Sequence, residues 1–328
     1  MSQSKFDVVT GGAGFIGSHL VRALLSRGRA VRVVDDFSSG KEENLQGLAE
    51  QHPGRFSLER ADIRNSSAML ELLQGAEHVY HQAAMTSVAQ SVEDPHRCHQ
   101  VNAGGTLKVL EAARRGGAGK VVMASTTAVY GDDPELPKRE TMLPSPISPY
   151  AAGKLAAEGY GQVYSRLYGL PVVALRYFNV YGPRQDPQSE YAAVIPKFIS
   201  RMAAGSSPVI FGDGEQSRDF VFVEDVVRAN LLAARSEVSG LALNVASGAT
   251  CNLKQIVALL NEILGADLQP IFEQARAGDI KHSSADTSKA RLAIGFQAQV
   301  TFKEGLSRAV AFYREAASGS PAASGRSS

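Results

Sequence analysis

Only two of the 328 residues are cysteine, Cys98 and Cys251, and their spacing offers neither a disulfide framework nor paired metal ligands. No apolar run approaches the ~20 residues that cross a bilayer, so no membrane span is expected. The first strand-like run starts at Phe6, and no secretory signal peptide is expected. An excess of charge of one sign is also lacking: 34 lysines and arginines face 33 aspartates and glutamates, for a net charge of +1. Such a balance gives no electrostatic basis for binding nucleic acid or an anionic membrane. A reduced, cytoplasmic setting follows as the expectation. With 44% hydrophobic and 20% charged residues, the composition is that of an ordinary globular protein, long enough for one large or two closely packed domains.

Glycine is where the chain becomes specific. Thr10-Gly11-Gly12-Ala13-Gly14-Phe15-Ile16-Gly17 follows the apolar run Phe6-Asp7-Val8-Val9 and leads into Ile16, Leu20, Ala23 and Leu24 at helical spacing. A strand, a glycine turn and a helix start form a ready pyrophosphate site. The glycines allow a tight turn and close backbone approach, and the helix N-terminus offers free N–H groups with positive dipole charge. A second strand-like run, Val31-Arg32-Val33-Val34, ends in Asp35-Asp36, roughly the ~20-residue offset of a ribose-binding carboxylate.

Further short buried strands are expected at 56–59, 78–81, 120–123 and 172–175, alternating with helices of which 103–115 and 149–168 are the clearest. Repeated strand–helix units imply a doubly wound parallel α/β sheet with helices on both faces. After Asn179 the prolines at 183, 187, 196 and 208 break this pattern, which implies a smaller α/β domain. The expected division is a dinucleotide-binding domain over 1–178 with return segments near 219–246, and a substrate domain over 179–218 and 247–315. Two later helices are expected at 253–264 and 303–315, and the Ala/Ser/Gly-rich stretch 316–328 is expected to be disordered.

Ser148-Pro149-Tyr150-Ala151-Ala152-Gly153-Lys154 is the second decisive segment. Ser148 suits a helix N-cap and Pro149 the first helical position. Tyr150 and Lys154 then stand at i and i+4 on one face. Tyrosine serves as a base at neutral pH only if its pKa falls from about 10 to ~7, a cost of about 4 kcal/mol. A nearby ammonium and a cationic nicotinamide ring can supply it. Thr126, at the end of the strand-like run before it, places a hydroxyl where doubly wound sheets hold ligands. It can orient a substrate hydroxyl and its proton, or simply stabilise the turn before Val129-Tyr130-Gly131. His96-Arg97-Cys98-His99 brings nitrogen and sulfur together without a second ligand pair and reads as the start of a helix, so no metal is expected.

These residues carry a family resemblance. The chain resembles the extended short-chain dehydrogenase/reductases of the nucleotide-sugar epimerase and dehydratase group, which have a Rossmann fold. The likeness also rests on Ala61-Asp62-Ile63-Arg64, His81-Gln82-Ala83-Ala84, Asn102-Ala103-Gly104-Gly105-Thr106, Arg176-Tyr177-Phe178-Asn179-Val180-Tyr181-Gly182-Pro183, and Gly212-Asp213-Gly214 followed by Arg218-Asp219-Phe220. It implies that Gly11, Gly14, Phe15, Ile16 and Gly17 hold the pyrophosphate of NAD, and that Asp35 and Asp36 bind the adenosine ribose and repel a 2′-phosphate. Asp62 and Ile63 would flank the adenine, Ala83 and Asn102 line the cofactor groove, and Tyr177 and Phe178 approach the nicotinamide. Asn179, Arg218 and Arg276 match positions on the sugar diphosphate, where paired arginines suit the charge, and Asp279 one near the nucleotide ribose. The resemblance further implies a homodimer built on the helices at 103–115 and 149–168.

Members of this family share a first step in which the tyrosine takes the proton of the sugar 4-hydroxyl while hydride leaves C4, giving a 4-keto sugar. A 4,6-dehydratase carries an Asp-Glu pair directly after the Thr; this chain has Thr127 and Ala128. Without that acid and base, the keto sugar turns over and takes hydride back on its other face, which is 4-epimerisation. Arg184-Gln185-Asp186-Pro187, Tyr191-Ala192-Ala193-Val194-Ile195-Pro196 and Asp279-Ile280-Lys281-His282-Ser283 resemble the UDP-N-acetylhexosamine 4-epimerases more than the hexose-restricted ones. The latter have a bulky Tyr matching Ser283, and a cofactor-contacting lysine matching Thr86. A serine leaves volume for an N-acetyl group. The expected activity is thus NAD-dependent interconversion of UDP-GlcNAc and UDP-GalNAc, with UDP-Glc and UDP-Gal as a further pair. A uronate 4-epimerase, decarboxylase or dehydratase is the alternative. A non-catalytic relative is disfavoured by the presence of both Tyr150 and Lys154.

Overall fold

The computed structural model describes residues 5–187, 194–275 and 281–318. Among these residues thirteen strands are numbered in chain order. They are β1 (Phe6–Thr10), β2 (Ala30–Asp35), β3 (Phe56–Arg60), β4 (Ala76–His81), β5 (Lys120–Thr126), β6 (Val172–Tyr177) and β7 (Asn179–Tyr181), followed by β8 (Val209–Phe211), β9 (Ser217–Phe222), β10 (Leu241–Val245), β11 (Thr250–Asn252), β12 (Ile271–Glu273) and β13 (His282–Ser283).

Seven strands form one sheet in the order β10-β6-β5-β4-β1-β2-β3, every neighbouring pair parallel. The order reverses direction between β1 and β4, so the crevice outside their C-terminal ends is where a doubly wound sheet binds its ligand. The period of two in the strands distributes their side chains to two cores. Val9, Val33, Val122, Val173 and Leu175 pack with Leu20, Leu24 and Val226 on one face. Their neighbours Val8, Val34, Val121, Val172 and Ala174 pack with Met69, Val109, Leu110 and Ala157 on the other. All six residues of β6 are buried, as a strand covered on both faces requires.

The smaller unit has its own core. Phe198, Ile199 and Met202 of the helix Val194–Ala203 meet Ile256, Val257 and Leu260 of Leu253–Leu264, and Leu306 of Phe302–Ser318. They cover a sheet in which β9 pairs with β7, β11 and β13. Ser217–Phe222 therefore belongs to this small sheet, and the chain rejoins the large one through the helix Val223–Arg235 and β10.

Two helices differ from expectation at their ends, and a third starts where it is expected. The segment expected from 103 is a wide π-turn over Gln100–Gly105 and becomes a regular α-helix at Thr106–Arg115. Here the Thr106 hydroxyl donates to the Asn102 carbonyl at 2.6 Å, and two glycines loosen the turn. The helix at Pro149–Leu167 starts as expected, with the Ser148 hydroxyl accepting from the Ala151 N–H at 3.2 Å. The last helix runs on to Ser318, so residues 316–318 are helical rather than disordered; the rest of that stretch lies outside the described residues.

Candidate active site

A cleft of about 930 Å³ opens along the C-terminal ends of β1, β2, β4 and β5. Its floor is the glycine turn. The Gly11 N–H donates to the Val34 carbonyl at 2.8 Å, and the Ala13 N–H to Asp35 Oδ2 at 2.9 Å, so the end of β2 ties down the loop. Gly11 has φ +69°, and a Cβ there would lie 2.5 Å from the Ala83 nitrogen. A Cβ on Gly17 would lie 2.1 Å from the Gly11 carbonyl oxygen. Gly14 is different: it meets only that oxygen, at 3.2 Å, and otherwise faces open space, so a side chain there would stand in the cradle itself. The helix Phe15–Ser26 that follows has no side-chain cap on its first N–H groups and no acid in its first turn. Its dipole and amides are left to an anion, and the loop fits a dinucleotide pyrophosphate.

Gly17→Ala is expected to displace Gly11 and so weaken cofactor retention while costing roughly 1–3 kcal/mol of stability. Cofactor content of the purified variant, measured beside its denaturant midpoint, checks this; full cofactor content at wild-type stability would contradict it.

At one end, where the adenosine is expected, Asp35, Asp36, Asp62 and Ile63 all line the cleft. Asp35 is buried, and burial raises its pKa against the hydrogen bonds from the Phe37 and Ala13 N–H groups. The Arg64 guanidinium holds the Asp62 carboxyl below the usual range, with Nε at 2.8 Å from Oδ2. That arginine is thus engaged by a carboxylate, and three acids at this end oppose a 2′-phosphate.

At the other end stand Tyr150, Lys154, Tyr177 and Phe178, with Ala83 between. Lys154 is 5% exposed, and its Nζ donates to the Ala124 carbonyl at 3.0 Å. Burial pushes this ammonium down to about 8. Burial likewise raises the Tyr150 phenol, and its hydrogen bond with Thr126 pulls it back. The Thr126 hydroxyl also accepts from the Ala128 N–H at 3.1 Å, so it serves the turn and the tyrosine together. Tyr177 hydroxyl is held by Gln82 and Asn230.

Asn102 does not reach the cleft with its side chain. It is 1% exposed, and its amide accepts from the Met85 N–H at 2.8 Å and donates to the Met85 carbonyl at 2.9 Å. It clamps a segment, Met85-Thr86, that does line the cleft. On the substrate side, Asn179 begins β7 and donates to the Asp219 carbonyl at 3.2 Å. Arg218 on β9 stands in register with Ser283 on β13. Arg276 and Asp279, with residues 191–193 and Ile280, lie outside the described residues. The residues that sequence reasoning missed are Ser125, which lines the cleft, and Glu158, buried one turn beyond Lys154. The i+4 spacing of Lys154 and Glu158 was the available signal.

His81 ends β4 behind the site, 2% exposed. Because the Thr106 hydroxyl donates to Asn102, its oxygen accepts from His81 Nε2 at 3.0 Å, and Nδ1 accepts from Thr10 at 2.7 Å. The ring is therefore a fully bonded neutral imidazole, and burial together with the Lys154 charge pushes its pKa down to about 3. His19 is likewise pushed down to about 3 by burial and Arg184. The unfolded chain binds protons that these rings refuse, so their contribution is complete above about pH 6.5 and lost as pH falls toward 3. At pH 5 each is expected to cost roughly 2 kcal/mol. Urea titrations at pH 7.5 and 5 check this, with His81→Gln expected to flatten the dependence; equal stability at both pH values would contradict it.

Among the described residues one group could gather a metal ion, Asp7, Glu77 and His78. Arg29 bonds both carboxylates there, reaching Asp7 Oδ2 at 2.8 Å, and so takes the cation's place. No helix among the described residues is long and apolar enough to cross a membrane.

Residues 8–246 match the model of the NAD dependent epimerase/dehydratase family. The chain belongs to that family. It is 41% identical over 309 residues to a UDP-glucose 4-epimerase of Mycolicibacterium smegmatis, covering 94% of this chain and 98% of the relative. Among solved structures it resembles the UDP-N-acetylglucosamine 4-epimerase from Methanobrevibacter ruminantium in complex with UDP-N-acetylmuramic acid, at TM-score 0.91 and 41% identity over 95% of this chain and 99% of that one. It also resembles the Thermus thermophilus UDP-glucose 4-epimerase in complex with NAD, at TM-score 0.84 and 40% identity over 94% and 99%. NAD is accordingly the cofactor, and the chain is an enzyme of the UDP-sugar epimerase family.

Proposed function

We propose that this enzyme interconverts UDP-GlcNAc and UDP-GalNAc, and UDP-Glc and UDP-Gal as a second pair, through a 4-keto intermediate. The observation that carries the reading is the half-buried Tyr150 between buried Thr126 and Lys154 at the proposed nicotinamide end of the cleft, with neutral Thr127 and Ala128 beside it. NAD, when bound, supplies the hydride acceptor at C4 and a positive charge beside the phenol. Tyr150 takes the proton of the 4-hydroxyl and later returns it. Lys154, held at the Ala124 carbonyl, favours the phenolate by its charge, and Thr126 orients the same proton. Eliminating the 6-hydroxyl requires an acid and a base after Thr126, and the chain offers a threonine and an alanine. Asn179, Arg218 and Arg276 are assigned to the diphosphate, and Asp279 to the nucleotide ribose.

The N-acetyl preference rests on Ser283, whose small side chain lies in register with Arg218. Separate incubations with UDP-GlcNAc, UDP-Glc and UDP-glucuronate test the reading, with products resolved by chromatography and mass spectrometry. Epimers of equal mass from the first two are expected. Loss of carbon dioxide from the third alone would favour the decarboxylase alternative.

A homodimer is part of the proposal. Tyr160, Val163 and Leu167 are exposed along one side of the helix Pro149–Leu167, an apolar stripe suited to a second copy. Light scattering at twice the chain mass is the expected result, and a monomer at micromolar concentration would contradict it.

A further inference from the structure

We infer that Glu158 is a positioning residue: with Arg176 and Ser125 it fixes the rotation of the Tyr150–Lys154 helix against the strand that ends in Thr126. This inference rests on the catalytic roles proposed above for Tyr150, Lys154 and Thr126.

Glu158 lies two turns after Tyr150 and one after Lys154 on the helix Pro149–Leu167, and is 3% exposed. Its carboxylate is met from two strands. The Ser125 hydroxyl on β5 donates to Oε1 at 2.5 Å. Arg176 on β6 donates from Nε to Oε1 at 2.9 Å and from Nη2 to Oε2 at 2.7 Å. Arg176 is 4% exposed, and its guanidinium also lies 4.8 Å from the centre of the Tyr130 ring. The helix is thus fastened to two adjacent strands by a fork whose planar geometry tolerates little rotation.

The fork stands in line with the chemistry. Ser125 is the residue before Thr126, and Thr126 is bonded to Tyr150. Lys154 is bonded to the carbonyl of Ala124, the residue before Ser125. Three consecutive residues at the end of β5 therefore grip three consecutive turns of one helix. A buried ion pair contributes little to stability over an apolar pair of the same shape, so geometric definition is the property it adds here. Lys154 faces Glu158 from its own helix, Cys98 from the helix Pro95–His99 and the neutral His81 from β4. Glu158 is the carboxylate among them, and its charge favours the ammonium.

Two variants test the inference. Ser125→Ala cuts one link and leaves the ion pair. Glu158→Gln with Arg176→Met in the same chain removes both charges together and avoids an orphaned one. The double variant is expected to hold NAD and to lose about 10- to 100-fold in kcat at unchanged KM. Ser125→Ala should lose less, and Ser125→Thr should restore it. The alkaline limb of the kcat profile should move to lower pH in the double variant, since Lys154 loses its carboxylate. Ultraviolet difference titration of tyrosinate, referenced to Tyr150→Phe, should show Tyr150 ionising at higher pH in both. Wild-type kcat, pH profile and tyrosinate titration in folded Ser125→Ala and in the double variant would overturn the assignment. Absence of epimerisation by the wild-type enzyme sinks the proposed function instead, while the tyrosinate titration still reads the positioning of Tyr150.

Discussion

Replacing Tyr150 by phenylalanine is expected to lower kcat by about 10²- to 10⁴-fold while leaving NAD bound. The ring stays and only the hydroxyl is lost, so the cleft keeps its shape. In the proposed reading the cofactor is held by Gly11–Gly17, Asp35 and Asp36, which line the same cleft and which the substitution leaves in place. What disappears is the group proposed to take the proton from the sugar 4-hydroxyl. Burial alone raises this phenol, the opposite of what a base at neutral pH requires. Its activation must come from positive charge: the Lys154 ammonium, and the nicotinamide ring when bound. A variant that keeps its turnover at unchanged NAD content would remove Tyr150 from the role of base.

Removing Arg176 alone, as Arg176→Met, is expected to destabilise the native state by roughly 3–5 kcal/mol. The side chains of Arg176 and Glu158 are 5% and 3% exposed, and the substitution leaves a buried carboxylate with one hydroxyl donor. The exposed pairs predict a contrast. Lys303 and Glu262, at 57% and 58% exposure, are expected to give less than about 1 kcal/mol when cut. Urea denaturation of the two variants side by side measures the difference, and equal midpoints would contradict it.

The parts of the fold that were legible in the sequence are those governed by local pattern. The apolar runs Val31-Arg32-Val33-Val34 and β6 read as strands because a strand covered on both faces is apolar at successive positions. The Ser148-Pro149 start of the catalytic helix was legible because capping is a property of two adjacent residues. Ends fixed by distant contacts were not. The π-turn before Thr106 depends on Asn102 clamping Met85, seventeen residues away in sequence, and on His81 Nε2 donating to the Thr106 oxygen. The pairing of Ser217–Phe222 in the small sheet depends on β7, β11 and β13, which no window around residue 217 contains.

The site divides in the same way. The glycine turn, Asp35, Tyr150 and Lys154 are readable because their chemistry follows from spacing within one segment. Asn102 carried a family expectation of lining the groove, and its side chain is instead spent on backbone. Glu158 and Ser125 escaped notice since a buried carboxylate reads in sequence as one more charge on a solvated helix face. Only packing against β5 and β6 distinguishes it.

The central claim is that hydride leaves C4 and returns to it within one cycle, so that the reaction is redox-neutral. Incubating the purified enzyme, without added NAD, with UDP-GlcNAc and separately with UDP-Glc in heavy water tests this directly by proton NMR. The galacto epimers are expected with hydrogen, not deuterium, at C4. Deuterium at C4, or no epimer from either sugar, would contradict it.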